Sequence, residues 1–314
     1  MPYQLLIDTA LPPTMLDMLG DGFEIHLLAD VLHDNSLLAQ IDAYLTYGHP
    51  PTDGALMDRM PNLKVISNFG VGVDHINLAD ARVRNIPVGN TPGFVDGATA
   101  DFTFALLMAV GRNILIGDRY ARSPEFIHYD PNLWHGQEIH GSTLGIVGMG
   151  RIGKVLAKRA SGFEMKILYH NRNRDAEAEA ALGVHYSSLH ELLQQSDFVT
   201  LNVPLTPETR HMIGREQLLL MKPTAYLINV ARGGVLDREA LLEALQNHWI
   251  AGAAIDVTEP EPLPRDHPLL AMQNLIITPH LGSATRQSRY KMARRTIDNL
   301  LAGLRGEELP SRVA

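Results

Sequence analysis

Short runs rich in β-branched and aliphatic residues alternate with helical patterns along almost the whole chain. That alternation restricts the fold more than any other feature, because it predicts a parallel sheet with helices on both faces. In the first third the candidate strands are Gln4–Ile7, Glu24–Leu28, Tyr44–Tyr47, Lys64–Ser67 and Pro87–Gly89. A long apolar helical pattern runs from Asp96 to Arg112. The alternation restarts with Thr143–Val147, Lys166–Tyr169, Phe198–Leu201, Ala225–Asn229, Gly252–Asp256 and Leu275–Thr278, with helices at Ile152–Ala160, Asp237–Gln246 and Ala284–Leu304. A chain of 314 residues exceeds what one core usually organises, so two α/β domains are expected. The series from Thr143 reads as one complete doubly wound domain and the first series as a smaller one, with the last helix free to join either.

The segment after the Thr143–Val147 strand contains G-x-G-x-x-G at Gly148, Gly150 and Gly153. The spacing alone is a weak signal, but here an apolar strand precedes it and an amphipathic helix follows. Gly148 allows the tight turn, Gly150 lets backbone approach a pyrophosphate, and Gly153 lets helix and strand pack closely. The helix start supplies unpaired N–H groups and a positive dipole end for phosphates. The bland alternative is a tight turn without a ligand. The next strand should end on the residue that reads the adenosine ribose, where an NAD enzyme places Asp or Glu. This chain reads His170-Asn171-Arg172-Asn173-Arg174. A carboxylate would repel a 2′-phosphate, whereas Arg binds one with a bidentate fork, so Asn171 and Arg172 favour NADP(H) as cofactor, with NAD(H) the alternative if the arginines are merely solvated.

Composition removes several chemistries. With no cysteine there is no disulfide, thiolate metal site or cysteine nucleophile. A net charge of −8 argues against a nucleic-acid partner. None of the 14 His falls in a tight metal-ligand pattern, and His135 and His140 around Glu138 read as a polar turn, so no metal is expected. The start, Met1-Pro2-Tyr3-Gln4, has no basic region before a long apolar run, and the longest apolar stretch, Phe102–Val110, is about half a membrane span. The expectation is a cytoplasmic protein without membrane association.

Three strand ends then carry a constellation. Reduction of a 2-oxo acid by hydride needs a cationic fork for the carboxylate, a proton for the carbonyl oxygen, and a donor of suitable pKa. Arg, His and a carboxylate that stabilises the imidazolium meet those needs. Arg232 follows the strand at 225–229 and precedes Gly233-Gly234; Glu259 and Glu261 lie beyond the strand at 252–256; His280 lies beyond the strand at 275–278. Each alone reads more simply as a surface charge or a cap. Together, on strand ends downstream of a dinucleotide loop, they point at one rim of the sheet, where ligands of such sheets bind.

The runs "NVPLTPETR" (202–210), "INVARGGVLD" (228–237), "AAIDVTEPEP" (253–262) and "TPHLGSAT" (278–285), with the glycine loop, resemble the D-isomer-specific 2-hydroxyacid dehydrogenase family. "NFGVGVDHIN" (68–77) and "NTPGFVDGATAD" (90–101) resemble that family's substrate-domain loops. The resemblance covers nearly the whole chain. It implies two Rossmann-like doubly wound parallel-sheet domains: a flavodoxin-like substrate (catalytic) domain from 1–97 and 285–314, and a dinucleotide-binding domain from 98–284. It also implies a homodimer built on helices near 100–130. It makes Arg232 the carboxylate and carbonyl binder, His280 the acid/base and Glu261 its partner, with Glu259 a solvated turn residue. It gives the Val71 and Gly72 backbone N–H groups to the substrate carboxylate, a role open to backbone that no side chain screens. Thr99, Arg151, Ile152, Val203, Pro204, Thr209, Val230, Ala231, Asp256 and Gly282 match cofactor-lining positions, Asp256 the one that bonds the carboxamide. Tyr47, Phe69, Phe94 and Trp134 are candidate pocket walls. The absent acid at 170–171 resembles the NADPH-preferring glyoxylate/hydroxypyruvate reductases of the family. The expected reaction is therefore reduction of glyoxylate or hydroxypyruvate to the D-2-hydroxy acid. The alternatives are an NADH-dependent dehydrogenase for another 2-oxo acid and a nucleotide-sensing interaction protein of the same fold. A phosphite dehydrogenase would carry Lys where Val71 stands.

Overall fold

The computed structural model describes all 314 residues, in two compact units: Met1–Val95 with Thr285–Ala314, and Asp96–Ala284. Both are built on parallel sheets, as the alternation predicts.

The first unit holds β1 (Tyr3–Ile7), β2 (Phe23–Leu27), β3 (Ala43–Thr46), β4 (Val65–Asn68) and β5 (Val88–Gly89), ordered β2-β1-β3-β4-β5. This is the flavodoxin-like order, all parallel, in which the strand order reverses between β1 and β3. β3 and β4 are buried on both faces, as central strands of a parallel sheet must be. One face packs Leu6, Tyr44, Ile66 and Val88 against Leu38, Met57, Met60 and Ala81. The helix Arg286–Leu304 returns to this unit. Ser67 Oγ donates to the Thr296 carbonyl at 2.7 Å, Asn299 Nδ2 donates to Asn90 O at 2.9 Å, and a Cβ on Gly303 would run into the Val65 side chain. Only a residue without a side chain lets this helix lie so close to β4.

The second unit holds β6 (Thr143–Val147), β7 (Lys166–His170), β8 (His185–Tyr186), β9 (Phe198–Leu201), β10 (Tyr226–Asn229), β11 (Gly252–Ile255) and β12 (Leu275–Ile277). Their order is β12-β11-β10-β9-β6-β7-β8, all parallel. The reversal falls between β6 and β9, the Rossmann arrangement extended by one strand. The period-two rule is visible in the core. Val147, Leu168, Val199, Leu201, Leu227 and Ile255 share one cluster. Ile146, Ile167, Tyr169, Phe198, Ile228 and Ala254 share the other, with Leu107 and Leu156 from covering helices. The helix Asp96–Gly111 is apolar around most of its circumference because it is a core helix, and Gly111 meets the Phe198 ring.

The one strand absent from the sequence reading is β8, two residues at the sheet edge, too short for an alternating pattern to register. Leu28, read as the end of a strand, opens a short helix, Leu28–Val31. No single helix is long and apolar enough to cross a membrane.

Candidate functional site

The carboxyl ends of β6, β7, β9, β10, β11 and β12 carry the second unit's chemistry-bearing loops. After β6, Gly148 sits at φ +103°, and a Cβ there would meet the Asn202 backbone and the Val203 side chain, each within 3 Å. A Cβ on Gly153 would strike the Gly148 carbonyl oxygen, whereas one on Gly150 would meet nothing within 4 Å. The first and third glycines thus serve packing, and the second leaves open space above the loop. The helix Arg151–Ala160 begins there with no side-chain cap. The amides of Arg151, Ile152 and Gly153 are therefore left for an acceptor from outside the helix. Arg151 is exposed and faces Asp96 at 3.4 Å. Open space over unpaired amides at a helix start fits the pyrophosphate of a dinucleotide.

The loop after β7 carries Asn171, Arg172 and Arg174. Asn171 turns inward: its Oδ1 accepts the Met149 N–H at 2.7 Å, bracing the glycine loop. Arg172 is exposed and makes no hydrogen bond or ion pair within the protein. Arg174 differs, since its Nε and Nη2 clasp both oxygens of Glu179 at 2.7 and 2.6 Å. After β9, Val203 lies against Gly148 and Pro204 is exposed. The Thr209 hydroxyl is used within its own loop, donating to Pro204 O at 2.6 Å and accepting the Thr206 N–H at 2.8 Å.

The turn after β10 is shaped by Asn229, which is fully buried. Its Oδ1 accepts the Ala231 N–H and its Nδ2 donates to Arg232 O, both at 3.0 Å, so Val230, Ala231 and Arg232 form a braced loop. Arg232 is half-buried, and its Nη1 donates to Ala231 O at 2.9 Å. A Cβ on Gly233 would run into the Thr258 carbonyl, so this glycine is what lets the Arg232 turn lie against the loop after β11. That loop carries Asp256, Glu259 and Glu261. Glu259 is not simply solvated, as the sequence reading had it: Arg210 reaches both its oxygens at 3.0 Å, and His211 stands 3.6 Å away. Glu261 is exposed, and its Oε1 accepts from Nδ1 of His280 at 2.9 Å. With Nδ1 donating to a carboxylate, Nε2 is the ring atom left to face a substrate.

His280 occupies the left-handed region at φ +56°. Its N–H donates to Asp256 O at 2.9 Å. The Asp256 carboxylate, 2% exposed, accepts from Thr278 Oγ1 (2.6 Å), the Leu281 N–H (2.8 Å) and the Gly282 N–H (2.7 Å). Asp256 therefore ties down the loop that presents His280. Gly282 also faces the Thr99 side chain, which is buried near the start of the helix Asp96–Gly111. Sequence reasoning named Asp256 for a different role and missed Asn229 altogether. The available signal was a polar residue closing an otherwise apolar strand.

The first unit carries Val71 and Gly72 in the loop after β4. Asn68 Nδ2 donates to Gly70 O and Gly72 O at 3.1 and 3.0 Å, and Asn90 Nδ2 donates to Val71 O at 2.8 Å. With these carbonyls tied back, the Val71 and Gly72 N–H groups make no hydrogen bond within the protein. The loop after β3 is fixed by Asp8, which accepts the N–H groups of Tyr47, Gly48 and His49 at 2.8, 2.9 and 3.1 Å. Tyr47 lies on Phe69 with ring centroids 4.5 Å apart, and Phe69 is 3% exposed. Phe94 lies under Arg295, and Trp134 is exposed beside Tyr120.

Comparison with known proteins agrees with this geometry. Residues 104–282 match the family model described as D-isomer specific 2-hydroxyacid dehydrogenase, NAD binding domain. A glyoxylate reductase of Pyrococcus furiosus is 43% identical over 319 residues, spanning 99% of this chain and 95% of the relative. The crystal structure of a Thermus thermophilus protein superposes with a TM-score of 0.90 at 43% identity, covering 99% of this chain and 100% of that one. So does an NADPH-dependent glyoxylate/hydroxypyruvate reductase from Sinorhizobium meliloti, solved with NADP and malonate, with a TM-score of 0.90 at 30% identity, covering 100% of this chain and 97% of that one. The chain belongs to the D-isomer specific 2-hydroxyacid dehydrogenase family and is an NAD(P)-dependent oxidoreductase.

Proposed function

We propose that this protein reduces glyoxylate and hydroxypyruvate with NADPH, giving glycolate and D-glycerate. The observation that carries the reaction class is the His280–Glu261 pair on the strand-end rim that also bears the Asn229-braced Arg232. The relatives named glyoxylate reductase support the substrate class. The bound nicotinamide cofactor supplies the hydride. Arg232 grips the substrate carboxylate and polarises its carbonyl with the guanidinium fork. The unpaired N–H groups of Val71 and Gly72, on the loop after β4, are donors suited to a carboxylate. His280 gives its Nε2 proton to the carbonyl oxygen, and Glu261 steadies the ring through Nδ1. The amides of Arg151, Ile152 and Gly153 hold the pyrophosphate. Val203, Pro204, Val230, Ala231, Thr99 and Gly282 line the cofactor, and Thr209 shapes that lining from within its loop.

The cofactor choice rests on Arg172, an exposed cation without a hydrogen bond or ion pair, with Glu208 near enough to feel its charge, where an NAD enzyme carries an acid. The direct test follows absorbance loss of NADPH, and separately NADH, with glyoxylate, hydroxypyruvate and pyruvate. Faster NADPH turnover with the first two substrates is the expected result. Equal or faster NADH turnover would overturn the cofactor assignment and leave the reaction class. Arg172→Ala should raise the KM for NADPH about tenfold and barely move that for NADH, the scale of one charge-assisted contact at an exposed site.

The protein is also proposed to act as a homodimer. Between Ile114 and Trp134 it exposes seven large apolar residues, among them Phe126 (48%), Ile127 (81%) and Tyr129 (79%). A single chain seldom leaves so much apolar surface in water. Light scattering after gel filtration should give twice the 34.6 kDa chain mass. A concentration-independent monomer would remove the dimer.

A further inference from the structure

We propose that Glu179 is a cofactor-selectivity residue: by clasping Arg174 it keeps a second guanidinium off the 2′-phosphate of NADPH, so that Arg172 alone reads that group. The proposal rests on the NADPH reading of Arg172.

The loop after β7 is pinned at both ends. At its start Asn171 Oδ1 holds the Met149 N–H at 2.7 Å. At its end the Asp175 N–H donates to the Tyr169 hydroxyl, and that hydroxyl donates to Glu179 Oε1, both at 2.7 Å. Lys154 Nζ adds an ion pair to Asp175 at 2.7 Å. Tyr169 is fully buried, so the phenol that anchors this end cannot swing out. Arg174 closes the arrangement with a two-point fork on Glu179. The hydrogen bonds from Arg174 and Tyr169 pull the Glu179 carboxyl down to about 2, so it stays ionised throughout the working range.

Two arginines stand two positions apart on one loop, yet only one is available. The Glu179 side chain is 17% exposed and that of Arg174 is 67% exposed. Arg174 therefore reaches solvent at its rim while its Nε–Nη2 edge is committed and its charge is balanced by Glu179. A guanidinium whose Nε–Nη2 edge is spent on a carboxylate, and whose charge that carboxylate balances, attracts a phosphate far less than an unpaired one does. The sequence reading assigns the cofactor role to Arg172 and leaves Arg174 without one; the fork on Glu179 makes Arg174 a strut.

The test is isothermal titration of the purified protein with NADP+ and with NAD+. Glu179→Gln keeps an oxygen acceptor for the Tyr169 hydroxyl but removes the charge that holds Arg174. It should tighten NADP+ binding about three- to tenfold and leave NAD+ within about twofold, as expected when one charged fork is released at a largely exposed site. Arg174→Ala added to Glu179→Gln should abolish the gain. Arg174→Ala alone should leave NADP+ affinity within about twofold, since a strut carries no direct contact. The proposal is overturned if Arg174→Ala alone weakens NADP+ as much as Arg172→Ala does, because Arg174 would then already be on the phosphate. It is equally overturned if Glu179→Gln shifts both cofactors alike. Failure of the underlying NADPH reading shows separately, as NADP+ affinity that Arg172→Ala leaves unchanged. Glu179→Gln still tests the clamp in that case, because released Arg174 gains NADP+ affinity with or without Arg172.

Discussion

Arg232→Ala should lower kcat/KM for glyoxylate by about 10³-fold, because it removes a positioned cationic donor from both the carboxylate and the oxygen on which charge develops. The expectation follows from how the residue is built in. Asn229 braces the turn from both sides, and Gly233 lets that turn lie against the β11 loop. Little reorganisation is then left for the moment of reaction. Arg232→Lys keeps the charge and loses the planar fork, so it should recover only part of the loss, remaining about 10–10²-fold impaired. Binding of NADP+ should be unchanged in both, which separates a substrate role from a damaged fold. An Arg232→Ala enzyme within about tenfold of wild type would remove Arg232 from the carboxylate site.

How the site was legible varies with the kind of residue. The sheet-forming runs carry strong local patterns, and the strands they predict appear within a residue or two, because burial on both faces demands near-continuous apolar runs. The glycine loop was legible for the same reason: Gly148 and Gly153 answer to local sterics. Arg232 and His280 stand out as candidates because each follows closely on the carboxyl end of an apolar strand. What the sequence could not show is which polar groups pair across loops. Glu179 clasps Arg174 from the next helix, and Asp256 collects three donors from the 278–282 segment. Both depend on tertiary distances that spacing does not encode. Glu259 and Glu261 differ by two positions, yet one faces Arg210 and the other His280. Only the resemblance, not the residues themselves, could choose between them beforehand. Asn229 was passed over because an Asn at a strand end reads equally well as the first residue of a solvated turn; its complete burial is what reveals the brace.

His280→Ala should lower kcat by about 10²–10⁴-fold, the range for loss of one general acid. The ring is held in place by more than its own side chain. Its backbone sits at φ +56°, an unusual region for a non-glycine residue that persists only when neighbouring contacts enforce it. Here the enforcing contacts are the His280 N–H on the Asp256 carbonyl and the Thr278, Leu281 and Gly282 donors on the Asp256 carboxylate. Glu261 acts later in the chain of causes. It touches only Nδ1, at 2.9 Å, and both side chains are about two-fifths exposed, 38% for His280 and 40% for Glu261. Water therefore screens the pair, and Glu261→Gln, which still accepts from Nδ1, should cost only about tenfold in kcat. Because Glu261 works through the imidazole, the double variant His280→Ala/Glu261→Gln should be no slower than His280→Ala alone. Such non-additivity is the mark of residues acting as one unit. If the two losses instead multiply, Glu261 has its own contact with substrate or cofactor and is not the partner of His280. If His280→Ala turns over near the wild-type rate, another group delivers the proton, and the rim formed by β10, β11 and β12 binds the 2-oxo acid without supplying its acid.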